Sequence, residues 1–275
     1  MKILIVYKKN NKASCLTANE LCRQLRAKNI SAEILASTNL PADVGSQSWN
    51  MVFVLGGDGT ILRTSRFLAG TDTPQLGINF GKIGFLSSIE PCDLSLMLEK
   101  LENKQYCLEK HLMLDINIYR GQKNIYQALA LNDAVIRSMV MHAIDIQLFV
   151  NDNVYALYRG DGIICATPTG STAYSYSAGG PIIDAHLQAL VITPISPQLS
   201  YSRALVVDAG SRLEFKISCR QPTAISIDGQ DEINLMNDDR VEISQSPHTV
   251  TFMQMESVSC IKKITQCRQN SRLAH

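Results

Sequence analysis

Hydrophobic positions come in short, nearly unbroken runs at the start of the chain. Residues 2–7 (KILIVY), 50–55 (NMVFVL) and 75–80 (QLGINF) are such runs. Strands apolar on both faces belong to parallel sheets covered by helices. Residues 31–36 (SAEILA) predict a further strand. Between the runs, residues 17–28 (TANELCRQLRAK) place Leu21, Leu25 and the Lys28 stem at helical spacing, with Thr17 as the cap. Residues 61–69 (ILRTSRFLA) and 92–103 (CDLSLMLEKLEN) predict two more helices. This alternation predicts an α/β N-terminal domain over residues 1–105, built on an open, mostly parallel sheet with helices.

Past residue 105 the helical period fades. Segments such as MLDINIYR, NIYQALALNDAVIR, AIDIQLFV, NVYALYRG, GIICATP, RLEFKIS, TAISID, RVEISQ and TVTFMQ predict strands. Turn residues punctuate them, among them Asn151-Asp152-Asn153, Asp228-Gly229 and Asn237-Asp238-Asp239. The expectation is an all-β, sandwich-like C-terminal domain over residues 106–260. A polar tail follows at 261–275.

Twenty-six Lys and Arg balance 25 Asp and Glu, for a net charge of +1. Without a basic stripe the chain is a poor nucleic-acid binder and a poor candidate for charge-driven membrane docking. The first apolar run is too short for a signal-peptide core, and no run is long enough for a membrane helix. None of the eight cysteines forms a C-x-x-C pair, which argues against zinc. They read as reduced thiols of a cytoplasmic protein.

Candidate chemistry begins at residues 52–60 (VFVLGGDGT), where a buried strand runs into glycines and then a helix. Gly56, Gly57 and Gly59 allow tight backbone geometry and close approach by a ligand. The helix N-terminus offers N–H groups and a positive dipole end to phosphate. Asp58 can take a proton from an attacking hydroxyl, hold a metal on phosphates, or simply cap the helix. Arg63, one turn on, is either a phosphate ligand or an exposed helix arginine. The loop is neither a Walker A motif nor a G-x-G-x-x-G fingerprint.

Residues 159–181 (RGDGIICATPTGSTAYSYSAGGP) are dense in Gly, Ser and Thr around one apolar strand. Their amides and hydroxyls suit a sugar, a base edge or phosphate oxygens, and Tyr174 and Tyr176 can stack on a base. Arg159 and Asp161 are either ligand contacts or an ion pair. Asn132-Asp133 interrupts the strand pattern ALALNDAVIR; it is either a turn or edge position, or a ligand contact, since asparagine suits bidentate recognition of adenine.

In this order the motifs VFVLGGDGTIL, LGINFGKIGFL, LND, DGIICATPTGSTAYSYSAGGP and DGQ resemble the NAD kinase family, across residues 52 to about 230. The resemblance implies transfer of the terminal phosphate of ATP, or of polyphosphate or other nucleotides in some members, to the 2′-hydroxyl of the adenosine ribose of NAD. It further implies a divalent cation, usually Mg²⁺ carried by the nucleotide, and a homodimer or homotetramer. Asp58 becomes the proton acceptor and, with Gly59, an NAD contact. Asn132 and Asp133 take the place of an Asn-Glu pair, with Asp133 one methylene shorter. His142, Arg159, Asp161, Thr172, Ala173, Tyr174, Ser175, Tyr176, Ser177 and Gln230 fall at further NAD-binding positions. A lipid kinase sharing the loop would leave Asn132 and the tyrosine-rich segment without a role. A dinucleotide sensor would have no need of Asp58.

Overall fold

The computed structural model describes residues 1–41, 43–81, 84–198 and 203–255. The chain forms two units. One comprises Met1–His111 with the described residues from Thr249, the other Leu112–His248.

In the first unit β1 (Lys2–Tyr7) leads to α1 (Lys12–Ala27), β2 (Ser31–Ala36), β3 (Met51–Gly56), α2 (Asp58–Leu68), β4 (Gln75–Asn79) and α3 (Leu94–Glu102). The strands pair in parallel in the order β2-β1-β3-β4, so that Ile5 faces both Ile34 and Phe53. Ile3, Ile5, Phe53, Leu55, Leu76 and Ile78 pack against Leu21, Cys22 and Leu25 of α1 and Met97, Leu98 and Leu101 of α3. Leu4, Val6, Val52 and Val54, which alternate with them, are buried as completely. Strands buried on both faces explain the apolar runs.

α1 begins five residues earlier than its apolar spacing suggests. The Asn11 side chain accepts the Ser14 N–H at 3.0 Å and caps the helix, leaving Thr17 inside it. Ser14 is fully buried and donates to the carbonyls of Lys8 and Asn11, so a polar stretch starts this helix.

The second unit is antiparallel. β5 (Cys107–Arg120), whose first residues belong to the first unit, is followed by β6 (Lys123–Ala130), β7 (Asp133–Ser138), β8 (Ile144–Val150), β9 (Asn153–Gly160), β10 (Gly162–Ala166) and the single turn α4 (Tyr174–Ser177). β11 (Ala189–Ile195), β12 (Leu205–Asp208), β13 (Leu213–Ser218), β14 (Thr223–Ile227), β15 (Asp231–Leu235) and β16 (Arg240–Gln254) complete it. One sheet runs β12-β11-β10-β7-β14-β15, and β16-β13-β8-β9 form a second layer joined by the β5–β6 hairpin. Ile136, Ile163, Cys165, Ile192 and Ile225 of the first layer pack with Ile146, Leu148, Phe215 and Val241 of the second. This is the expected sandwich-like core.

Two boundaries differ from expectation. The first unit extends to His111 and regains the chain at Thr249, so TVTFMQ belongs to it; Phe252 of β16 pairs in parallel with Gln75 of β4. The NIYQALALNDAVIR segment is two strands, because β6 pairs with β5 whereas β7 pairs with β10 and β14. The polar tail lies outside the described residues.

Candidate functional site

In the first unit, β3 is buried throughout and ends at Gly56; Gly57 caps α2, and Asp58 is its first residue. The N-cap position belongs to Gly57, and the Asp58 carboxylate is held from the segment after β4. It accepts N–H bonds from Phe85 at 3.0 Å and Leu86 at 3.3 Å, which fix its orientation. Gly84 lies against this carboxylate so closely that a Cβ there would overlap it.

The motif glycines divide by cause. A Cβ on Gly56 would collide with Thr60, so packing requires that glycine. A Cβ on Gly57 or Gly59 would meet nothing within 4 Å. Local packing makes no demand for these two, and their bare backbone leaves room for an approaching group. That room is a cleft of about 270 Å³ bounded by Lys8 and Lys9 after β1, Ser37 and Thr38 after β2, and Gly57, Gly59, Thr60 and Arg63. It therefore lies at the carboxyl ends of parallel strands, where open α/β sheets bind ligands. Three cationic side chains, hydroxyls and a helix N-terminus suit a polyanion such as a nucleotide phosphate chain. Lys8, Lys9 and Thr38 carry no motif of their own and are far from residue 58 in sequence.

In the second unit, the break between β6 and β7 presents Asn132. Its N–H donates to Asp228 Oδ1 at 2.7 Å, and its carbonyl accepts the Thr167 N–H at 2.9 Å. The Thr167 hydroxyl donates to the Leu131 carbonyl at 2.6 Å and accepts the Gly170 N–H at 3.0 Å. A Cβ on Gly170 would overlap the Asn132 carbonyl. The hydroxyl-rich turn after β10 thus braces the Asn132 backbone. The Asn132 side-chain oxygen is buried and has no hydrogen-bond partner among the described residues. A buried acceptor left unpaired is costly, and a ligand N–H would satisfy it.

Asp133 opens β7 and is buried. Burial, and then the neighbouring Asp228 carboxylate, push its carboxyl up to about 7. Burial, followed by Asp133, drives the Cys165 thiol well above its ordinary range. Asp228, legible in the sequence only as a turn residue of the DGQ motif, has a further role in bracing residues 131–133. It adopts φ 51° in the tight turn between β14 and β15, and Gln230 closes that turn with an N–H to the Ile227 carbonyl at 3.0 Å.

Along the following segment, the Thr172 hydroxyl donates to the Thr169 carbonyl at 3.2 Å, and Ala173 leads into α4. Ser175 is fully buried with its hydroxyl 2.8 Å from that of Thr193, a role in packing. Tyr174 and Tyr176 are exposed, with ring surface open to a partner; Ser177 is exposed beside them. Arg159 is exposed and pairs with Asp145 at 3.5 Å rather than with Asp161. Asp161 is exposed and bonds through its backbone to Ser138 and Ile195. His142 is exposed in the loop after β7, its N–H on the Val140 carbonyl at 2.8 Å. No helix among the described residues is long and apolar enough to cross a membrane.

Comparison with known proteins agrees with this arrangement. A family model for the ATP-NAD kinase N-terminal domain matches residues 43–106, and one for the ATP-NAD kinase C-terminal domain matches residues 131–255. The NAD kinase of Treponema denticola is 36% identical over 252 residues, 90% of this chain and 88% of that protein. That of Natranaerobius thermophilus is 36% identical over 221 residues, 80% and 77% of the two chains. Among solved structures, an NAD kinase from Archaeoglobus fulgidus in complex with ATP superposes with a TM-score of 0.76 at 26% identity, covering 93% of this chain and 94% of that one. Yeast NADH kinase complexed with NADH shares the fold, with a TM-score of 0.87 at 22% identity over 96% and 86% of the chains. With its glycine loop, its Asn-Asp pair and its hydroxyl-rich turn all inside the matched regions, the chain belongs to the NAD kinase family.

Proposed function

We propose that this chain phosphorylates NAD: it transfers the terminal phosphate of ATP to the 2′-hydroxyl of the adenosine ribose, giving NADP and ADP. The observation that carries this is the oriented Asp58 carboxylate at the start of α2, next in sequence to the two open glycines of a cationic cleft.

The donor's phosphates occupy the cleft. Lys8, Lys9 and Arg63 neutralise their charge, and the bare Gly57 and Gly59 backbone lets them approach the first turn of α2. The ribose 2′-oxygen forms a bond to the terminal phosphorus as the bond to the bridging oxygen of ADP breaks. Asp58 accepts the hydroxyl proton during that step rather than before it, because a sugar hydroxyl is far too weak an acid to ionise first. Hydrogen bonds from the Phe85 and Leu86 backbone amides aim its carboxylate. One carboxylate, with hydroxyls such as Thr60, fits a divalent cation that brings its remaining oxygen ligands as donor phosphates. Such a cation, Mg²⁺ by preference, would add charge neutralisation on the transferring group.

Asn132, Asp133, the segment Thr172–Ser177 and Gln230 are assigned to NAD. The orphaned Asn132 oxygen supports the assignment, since it can accept from an exocyclic amine such as that of adenine. Tyr174 and Tyr176 offer stacking surface. Arg159, Asp161 and His142 remain assigned to NAD on family resemblance alone. A homo-oligomer in the cytoplasm completes the proposal.

Incubating the purified protein with NAD, ATP and Mg²⁺, and assaying the product with an NADP-specific dehydrogenase, tests the activity. NADP formation is expected. NAD binding by calorimetry without NADP from ATP or polyphosphate would replace the kinase with a dinucleotide sensor.

A further inference from the structure

Two buried acids meet at the start of β7. Asp133 is 5% exposed and Asp228 is 7% exposed. Their backbones are cross-linked: the Asp133 N–H donates to Asp228 Oδ1 at 3.1 Å, and the Asp228 N–H donates to the Asp133 carbonyl at 3.0 Å. Leu131 and Asn132 donate to the same Asp228 carboxylate at 2.9 and 2.7 Å. Asp228 therefore accepts three N–H bonds, an arrangement that favours an ionised carboxylate. No donor among the described residues reaches the Asp133 side chain. Among the described residues, the titratable groups that bear on it are Asp228 of the β14–β15 turn and Cys165 of β10, both acids. A second negative charge on Asp133, in a poorly solvated place where burial and Asp228 both act against ionisation, is strongly disfavoured.

We propose that Asp133 and Asp228 share one negative charge, carried by Asp228, and that Asp133 serves as a neutral acid donating a hydrogen bond to the bound dinucleotide. The proposal rests on the NAD kinase assignment only for the identity of the ligand. Asp228 is then a positioning residue. Its carboxylate pins residues 131–133, and its charge keeps the proton on Asp133. The raised carboxyl of Asp133, from burial first and Asp228 second, agrees with this. The acceptor on the ligand would be a ribose oxygen or a ring nitrogen. Deprotonation would both remove the donor and place a second carboxylate near an anionic dinucleotide.

The decisive experiment is a carboxyl-¹³C NMR titration of the full chain labelled at aspartate. One aspartate should titrate near pH 7, disappear in Asp133→Asn, and move to lower pH in Asp228→Asn. If no aspartate titrates above about pH 5, or if the signal survives in Asp133→Asn, the proposal fails whether or not the chain is a kinase. Should Asp228→Asn not fold, the Asp133→Asn comparison decides alone. Calorimetry with NAD gives the functional arm. The wild-type Kd should rise about tenfold between about pH 6 and about pH 8, while that of Asp133→Asn stays flat. Parallel pH profiles for the two proteins would overturn the donor role. Absence of NAD binding at every pH would instead overturn the substrate assignment, leaving the titration to judge the shared charge.

Discussion

Gly84 and Asp58 occupy the same small volume: the glycine backbone fills the place beside the carboxylate where a Cβ would overlap its oxygens. The next two amides, of Phe85 and Leu86, hold those oxygens. Gly84→Ala should therefore displace the proton acceptor and leave the NAD-binding residues of the second unit intact. A misplacement of about 1 Å costs on the order of a hundredfold in rate. Steady-state kinetics should show kcat falling by that order with the KM for NAD within about twofold. Unchanged kcat would detach Gly84 from the function of Asp58.

The cationic cleft makes a separable prediction. A charge-assisted hydrogen bond is worth about 1.5–3 kcal/mol, or roughly ten- to a hundredfold in affinity. Lys8→Ala and Arg63→Ala should each raise the KM for ATP by about tenfold or more and leave the KM for NAD nearly unchanged. Loss of NAD affinity without loss of ATP affinity would assign the cleft to the other substrate.

Gly170 is required by packing rather than by backbone twist, because a side chain would press on the Asn132 carbonyl. Gly170→Ala should cost about 1–3 kcal/mol, the range for overpacking a buried site. Thermal denaturation would show it as a lower Tm, accompanied by weaker NAD binding as Asn132 shifts. A Tm equal to wild type would mean that the turn has slack.

Asp133 also gives a stability signature. Its carboxyl stands near 7 in the folded protein against an ordinary value of 3.8. Between about pH 4 and pH 7 the folded state keeps a proton that the unfolded chain releases. Stability at this group therefore falls as pH rises through that window and levels off above it. Asp133→Asn should remove this pH dependence and raise the Tm at about pH 8 relative to wild type. An identical Tm–pH profile for the two proteins would contradict the buried acid.

What could be read from the sequence depended on how local its cause was. β1, β3 and β4 were legible because burial on both faces makes their residues apolar without interruption. The glycine-loop-to-helix turn was legible because strand end, glycines, acid and helix are consecutive. Lys8 and Lys9 were not, since only the parallel order β2-β1-β3 brings the end of β1 beside Gly57 and Gly59. Asp228 was legible as a turn residue, but its bonds to residues 131–133 were not, for the same reason. A turn almost a hundred residues away supplies the carboxylate that organises residues 131–133, and its non-glycine positive φ is invisible in one-dimensional pattern. The polar pair Asn132-Asp133 was legible as an interruption, but apolar residues on both sides of it, such as Ala130 and Ala134, did not show that the strands change partners there. The start of α1 was masked by the polar residues of its cap.

The central claim is that Asp58 accepts the proton of the attacking ribose hydroxyl, and Asp58→Asn tests it most directly. The asparagine keeps one acceptor oxygen and the size of the side chain but is a far weaker base. General-base catalysis is worth about 10²–10⁴-fold. Measured side by side with wild type, the variant should form NADP with kcat lowered by a factor in that range, while calorimetry returns an NAD Kd within about threefold of wild type. Near-normal turnover, or lost turnover explained entirely by lost NAD affinity, would contradict it.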